Sequence, residues 1–223
     1  VIDTVKGNGV LKAYIEVEIR DKDGKITEKR IIPCKSFVAN FLRAFRRLIM
    51  TEGRSAGGTA AQACGFSDVE PQDTTPTARG VFIGTATGSY PVDRPVMKID
   101  APIGIVTSGI RVGTNDTAPT IADYNILSPI AHGTGAGQLS HSAVTIDTLL
   151  ESAPNVTLKI IRVFTNNSAG LITVKEIGLL YYGTITATPT YATFLLARDV
   201  PSPAIDVPVG QSLTLRYVLT TTV

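Results

Sequence analysis

The chain has 223 residues, with 21 Lys plus Arg against 19 Asp plus Glu and a formal net charge of +2. That balance excludes a surface that holds nucleic acid or an anionic membrane by bulk charge, and two Cys, two His, two Met and no Trp leave little material for a disulfide scaffold, a zinc ribbon or most cofactors. Charged residues make up only 18% of the chain, against about 25% in typical soluble domains, so the surface must be largely Thr, Ser, Gly, Ala and Asn, as suits a subunit packed among copies of itself.

The N-terminal residues predict a hairpin. Leu11, Ala13, Ile15, Val17 and Ile19 alternate with Lys12, Tyr14, Glu16, Glu18 and Arg20, the period-two pattern of a half-buried strand. Asp21-Lys-Asp-Gly24 turns the chain, with Gly24 free to take a positive φ, and residues 25–32 return as the partner strand. The aspartates resemble the start of a calcium loop, but the downstream ligands are missing, so a plain turn is expected.

After Pro33, Ser36 is placed to cap an amphipathic helix. Phe37, Val38, Phe41, Leu42, Phe45, Leu48 and Ile49 share one face, opposite Arg43, Arg46 and Arg47. Such a helix either anchors to a membrane or nucleic acid through its basic face or covers a sheet or a neighbouring subunit; the continuous aromatic stripe favours the second. Phe37, Phe41 and Phe45, with Arg43, Arg46 and Arg47, are the candidate assembly interface.

Residues 1–54 hold 12 Lys/Arg and 7 Asp/Glu, net +5, and the remaining residues are net −3. A basic hairpin-helix module (1–54) thus joins a weakly acidic body (80–223), an asymmetry that favours head-to-tail contact between copies. Between them, residues 55–79, rich in Gly, Ala, Ser, Thr, Gln and Pro, read as an extended arm or linker. In the body, β-branched and aromatic runs over 80–84, 103–112, 144–146, 156–165, 171–182, 191–198 and 212–221 are bounded by Gly, Pro, Asn and Asp, as in a β-sandwich. Gly113 and Gly178 admit close backbone approach, Asn166-Asn167 with Ser168 and Gly170 reads as a hairpin turn, and Glu176 inside an apolar strand is expected to pair with Arg162 or Arg198.

The candidates for chemistry are sparse. Gly133-Thr-Gly-Ala-Gly-Gln138 lacks the Lys-Ser/Thr end of a phosphate loop and reads as a flexible loop. His132 and His141 flank it and, with Asp123 or Asp147, form a conceivable metal set, although isolated histidines more often face solvent. Ser140, His141 and Asp147 make a triad on paper, without a nucleophile elbow around any Ser. Paired carboxylates for sugar cleavage are left open, but aromatic residues are 6% of the chain, thin for a stacking groove. Cys34 and Cys64 are either bonded or free thiols, the second being the default in a cytoplasmic setting. Asn115, Asn155 and Asn166 each begin a glycosylation triplet of the kind a Thr/Asn-rich chain produces by chance.

Several motifs occur in a distinctive order: Gly109-Ile-Arg-Val-Gly-Thr114, Ala118, Asp123-Tyr124, residues 127–130, then Gly133-Thr-Gly-Ala-Gly-Gln138. Arg162-Val-Phe-Thr-Asn-Asn167, Ile172-Thr-Val-Lys-Glu-Ile-Gly-Leu179, Leu196-Ala-Arg-Asp199 and Val207-Pro-Val-Gly-Gln-Ser-Leu-Thr214 follow. Together they resemble a module of bacteriophage and archaeal-virus structural proteins. The resemblance implies a virion component on the tail, a fibre or the capsid exterior, usually oligomeric, built on an antiparallel sandwich and without catalytic residues.

The expectation is therefore a mainly β protein: an antiparallel, jelly-roll-like β-sandwich with an N-terminal hairpin and one amphipathic helix. It is expected to be non-enzymatic, to need no cofactor or metal, and to assemble with its own copies and other virion structural proteins, without nucleic acid. No apolar run reaches the roughly 20 residues of a membrane span, and Val1 with Asp3 close behind shows no leader, so synthesis in the host cytoplasm and residence in the virion are expected. Two alternatives are a glycan- or receptor-binding fibre module, with contacts near Tyr90, Tyr124 and Tyr191, and a cellular extracellular filament subunit.

Overall fold

The computed structural model describes residues 10–34, 37–39, 41–42, 74, 98–184 and 191–222. Alternation in the first segment produces β1 (Val10–Arg20), with Ile15, Val17 and Ile19 buried and Lys12 exposed. The turn closes on the Asp21 carboxylate, which accepts from the N–H groups of Asp23 at 3.0 Å and Lys25 at 2.9 Å, while Gly24 takes φ 81°. β2 (Ile26–Pro33) then returns antiparallel to β1.

The two longest alternating runs of the body become β7 (Asn155–Thr165) and β12 (Ser212–Thr222). β12 pairs with β1 from Val10↔Thr222 to Arg20↔Ser212, and on its other side with β7 from Asn155↔Thr222 to Thr165↔Ser212. Three short strands, β4 (Ser140–His141), β5 (Thr145–Ile146) and β6 (Leu150–Ser152), pair in turn with the far side of β7. A seven-stranded antiparallel sheet results, in the order β2-β1-β12-β7 with the short strands along its last edge.

A three-stranded antiparallel sheet places β9 (Glu176–Thr184) between β10 (Tyr191–Asp199) and β3 (Gly109–Gly113). β8 (Ile172–Val174) and β11 (Ile205–Val207) form a separate pair. The apolar run 171–182 is thus two strands and not one. It divides at Lys175, whose N–H donates to Gly113 O at 2.9 Å, so that the chain exchanges β11 for β3 and β10 as its partners. The Asn166-Asn167 turn accordingly links strands of different sheets and does not close a hairpin. In the run 103–112 the strand starts only at Gly109, because Gly104 and Gly109, at φ 76° and 78°, bend the preceding residues into a loop that leaves Ile103 and Ile105 exposed.

The amphipathic helix expected over residues 36–49 is absent from the elements of the described residues. Phe37 bridges to Ala197, and the Val38 N–H donates to Leu196 O at 3.0 Å, so β10 takes up the backbone groups with which a helix would begin. Ala39, Phe41 and Leu42 keep helical backbone, and residues 43–50 lie outside the described residues. The strand expected at 80–84, the boundary at residue 54 and the arm, apart from Thr74, also lie outside them.

One core draws on all three sheets. Ile15, Val17, Ile19, Ile160, Phe164, Leu213, Leu215 and Tyr217 of the large sheet meet Ile110, Val112, Ile177, Leu179, Tyr181, Phe194 and Leu196 of the three-stranded sheet, with Val174, Ile205 and Val207 beside them. Each such side chain contributes about 1.5–3 kcal/mol of gross stabilisation. Leu180 and Leu195 point the other way and pack with Val38 and Ile126. β9 and β10 are covered on both faces, which is why residues 177–181 and 194–197 are apolar without alternation. Among the described residues, no helix is long and apolar enough to cross a membrane.

Candidate functional site

Of the six residues expected at an assembly interface, Phe37 and Phe41 are described. Their rings lie 4.3 Å apart at 37° and pack against the chain's own core. Phe45, Arg43, Arg46 and Arg47 lie outside the described residues. Large apolar side chains face solvent elsewhere, along both margins of the seven-stranded sheet. Ile26 and Ile31 are exposed on β2, Ile31 at 64%; Ile146, Leu149 and Leu150 are exposed along β5 and β6, Leu150 at 61%. Charge differs between the margins: Lys25, Lys29 and Arg30 lie at the first together with Glu28, which pairs with Arg30 at 3.1 Å, and Asp147 and Glu151 lie at the second.

Behind these margins, three buried polar anchors hold the loops to the sheets. Glu176, at the start of β9, accepts from Arg198 Nε at 2.5 Å, from the Leu127 N–H at 2.8 Å and from the Ser128 N–H at 3.2 Å. Arg198 also donates to Asp123 Oδ2 at 3.0 Å, Thr117 O at 3.0 Å and Asn115 Oδ1 at 3.2 Å. The expected Glu176 ion pair is therefore made with Arg198, and it fastens the 115–128 loop to the three-stranded sheet. Gly113, opposite Glu176, makes the room: a Cβ there would lie 2.7 Å from Ser128 O and would run into the Glu176 carboxylate.

The second anchor is Asn166, which is 0% exposed. Its Nδ2 donates to Gly170 O at 2.8 Å and Val207 O at 2.7 Å, and its Oδ1 accepts from the Ser168 N–H at 3.0 Å and hydroxyl at 2.7 Å. The backbone N–H adds a bond to Gln211 O at 2.9 Å, and the carbonyl accepts from Gly210 N–H at 2.8 Å. At such burial its glycosylation triplet is closed to modification.

Arg162 is the third. Its guanidinium reaches backbone carbonyls of Ser142 and Ile110 at 3.0 Å, Ile105 at 2.5 Å and Ser108 at 3.5 Å, joining β3 and its preceding loop to β7. Burial, with repulsion from Arg111 added, lowers its pKa to about 10, so it remains a cation at neutral pH. Cys34 donates its thiol to Asp199 Oδ2 at 3.0 Å, an oxygen that also accepts from the Tyr217 hydroxyl at 3.2 Å. Burial, with the Asp199 charge next, raises the Tyr217 phenol well above its usual value. Cys64 lies outside the described residues.

His132 and His141 do come together, ring centroids 5.5 Å apart, but the link is the His141 backbone N–H donating to His132 Nδ1 at 3.0 Å. Asp123 is engaged by Arg198 instead, and among the described residues no group of three His, Cys, Asp or Glu is placed to hold a metal. Ser140 and His141 are consecutive on β4 and so face opposite sides. The Ser140 hydroxyl bonds Gly133 O and Asn167 Nδ2, whereas the His141 ring is buried against Phe164. The paper triad is not assembled. The glycine-rich loop is closed by Gln138, whose Oε1 accepts from the Gly135 N–H at 2.9 Å.

No family model, curated protein or solved structure matches the chain. What it does must follow from its own surfaces and anchors.

One buried side chain carries a pH signature. His141 is 1% exposed, and among the described residues neither ring nitrogen has a partner. Burial, then repulsion from Arg162, His132 and Arg111, lowers its pKa from 6.5 to about 3. Below pH 6.5 the unfolded chain takes up a proton that the folded chain refuses. This group's contribution is thus full above 6.5 and falls by about 1.4 kcal/mol per pH unit on acidification towards 3. In urea unfolding across that range the stability of the wild type relative to His141→Leu should fall by about 1.4 kcal/mol per pH unit on acidification; a difference that does not change with pH would remove His141 as the cause.

Proposed function

We propose that this chain is a non-enzymatic structural subunit of a virus particle, its sheets closing as a jelly-roll-like β-sandwich and its copies associating edge to edge. The observation that carries the reading is the exposure of Ile31 on one margin of the seven-stranded sheet and Leu149 and Leu150 on the other. Soluble monomers blunt the edges of their sheets with charge, Pro or bulges, because an open edge pairs with other chains. Here Lys25 and Lys29 at one margin, where Arg30 is already paired with Glu28, and Asp147 and Glu151 at the other accompany the apolar groups. Unlike margins repel their own kind and attract each other, which directs β2 of one copy against β5 and β6 of the next. Such a heterologous contact propagates head to tail and generates rings or filaments. The ordered motifs from Gly109 onward, which resemble those of viral structural proteins, support a place in a virion.

Light scattering and negative-stain microscopy of the purified chain check this. The wild type should form regular oligomers, and Ile31→Asp or Leu150→Asp should each reduce them to monomers that circular dichroism shows to be folded, since both side chains are exposed in the single chain. A wild type that stays monomeric at high concentration, or variants that assemble normally, would remove the edge contact and the reading with it.

A further inference from the structure

At the end of the three-stranded sheet away from the Glu176–Arg198 pair lies a cleft of about 370 Å³, lined in part by Lys98, Asp100, Ile105, Thr107, Tyr182 and Tyr191. The backbone sets it up. Lys98 bridges to Tyr182, with N–H to carbonyl bonds of 2.9 and 2.8 Å in both directions, and so continues the β3 side of β9. On the other side of β9, Tyr191 lies opposite Thr184, which makes it a diagonal neighbour of Tyr182. The two rings stack 5.2 Å apart at 14°. Ser108 donates its hydroxyl to Asp100 O at 3.0 Å and pins that segment. The Asp100 carboxylate faces Lys98 Nζ at 3.7 Å, an ion pair too long for a direct hydrogen bond, with both side chains partly exposed.

We propose that this cleft binds a neutral pyranose sugar. A pyranose has an apolar C–H face and a rim of equatorial hydroxyls. Tyr191, 36% exposed, offers an aromatic face held rigid by the ring beneath it. Asp100 supplies acceptors, and Lys98 and Thr107 supply donors, for hydroxyls that both give and take protons. The charges cancel within the cleft, so a phosphate or other anion gains nothing net from entering it. A wholly apolar ligand would strip water from the ion pair without replacing it. The volume falls at the small end of ligand pockets, which span roughly 300–1,000 Å³. Of the tyrosines expected near a glycan, Tyr191 is here, Tyr124 is not among the lining residues, and Tyr90 lies outside the described residues. The cleft belongs to a different sheet from the proposed assembly margins, so its occupancy is read independently of oligomer state.

Saturation-transfer NMR and tyrosine fluorescence, the latter unobscured because the chain has no Trp, test this with glucose, galactose, mannose, N-acetylglucosamine and, as an anionic comparison, N-acetylneuraminic acid. At least one neutral sugar should bind with a millimolar dissociation constant. Tyr191→Ala and Asp100→Asn should each weaken it about tenfold, while Leu150→Asp leaves it unchanged. Circular dichroism confirms that each variant is folded, and Asp100→Asn, nearly isosteric at an exposed position, keeps the test open if truncating Tyr191 disturbs the sheet. The proposal is overturned if no neutral sugar binds at tens of millimolar, if both cleft variants bind as the wild type does, or if the anionic sugar binds best.

Discussion

Arg198→Met should lower the unfolding free energy by about 3–5 kcal/mol. The substitution leaves the Glu176 carboxylate buried with two backbone N–H donors and no counter-charge, and it releases Asp123, Asn115 and Thr117 O together. Most of the loss reflects the stranded charge more than the value of the pair. Glu176→Gln added to Arg198→Met should therefore recover part of it, because a neutral amide costs far less to bury, although its single oxygen can accept from only one of the Leu127 and Ser128 N–H groups, which reach different carboxylate oxygens. Urea unfolding of the two single variants and the double variant separates these contributions. If the double variant is as unstable as the sum of the singles, the ion pair is not what couples them. The 115–128 loop should also lose hydrogen-exchange protection first in Arg198→Met, since the arginine is what ties it to β10.

Asn166→Asp changes a single group, NH2 to O, yet about 3 kcal/mol or more should be lost at pH 7. The Oδ1 side keeps its acceptors' role towards Ser168, but the other oxygen now faces the carbonyls of Gly170 and Val207 where Nδ2 had donated to both. Burial and the facing carbonyls raise the new carboxyl's folded pKa above its unfolded value of about 4. Below that pH both states are protonated and the acid can donate to one carbonyl, so the penalty shrinks. It grows as pH rises through about 4. A loss of the same size at pH 3 and pH 7 would mean that Nδ2 does not face those carbonyls.

Local patterns in the sequence carried far into the fold. The alternation of Leu213, Leu215, Tyr217 and Leu219 against Thr214, Arg216, Val218 and Thr220 marks β12 only in part, since the first three are buried but so are Val218 and Thr214, while Leu219 is half-buried; Asp21 to Gly24 form the expected turn. The close approach at Gly113 was readable because a glycine in a β-branched run has few other reasons to be there. Partner choice was not readable. Glu176 had two arginines to choose from, and the decision depends on Arg198 standing opposite Gly178 on the next strand, a matter of register that no local spacing encodes. The division at Lys175 has the same origin, since the residues on either side are equally strand-forming and differ only in which distant strand lies beside them. The Phe37 segment shows propensity overridden: its helical stripe is real, but the edge of β10 claims the first backbone groups. The apolar margins were also hidden, because Ile31 and Leu150 are exposed by where their strands lie in the sheet and not by anything in their neighbours.

The middle of the large sheet is occupied by the strand that leaves the ribosome after all the others described. β12 sits between β1 and β7, so throughout synthesis the first hairpin and the later strands are two half-sheets with open edges facing a gap. Neither can complete its backbone bonding until Ser212 to Thr222 arrive to close it. Completion of the sheet waits until residues 212–222 have been made, as befits contacts between residues as far apart as Val10 and Thr222. The same arrangement acts as a proofreading step. A chain cut short before residue 212 leaves the facing edges of β1 and β7 unpaired and invites clearance or aggregation.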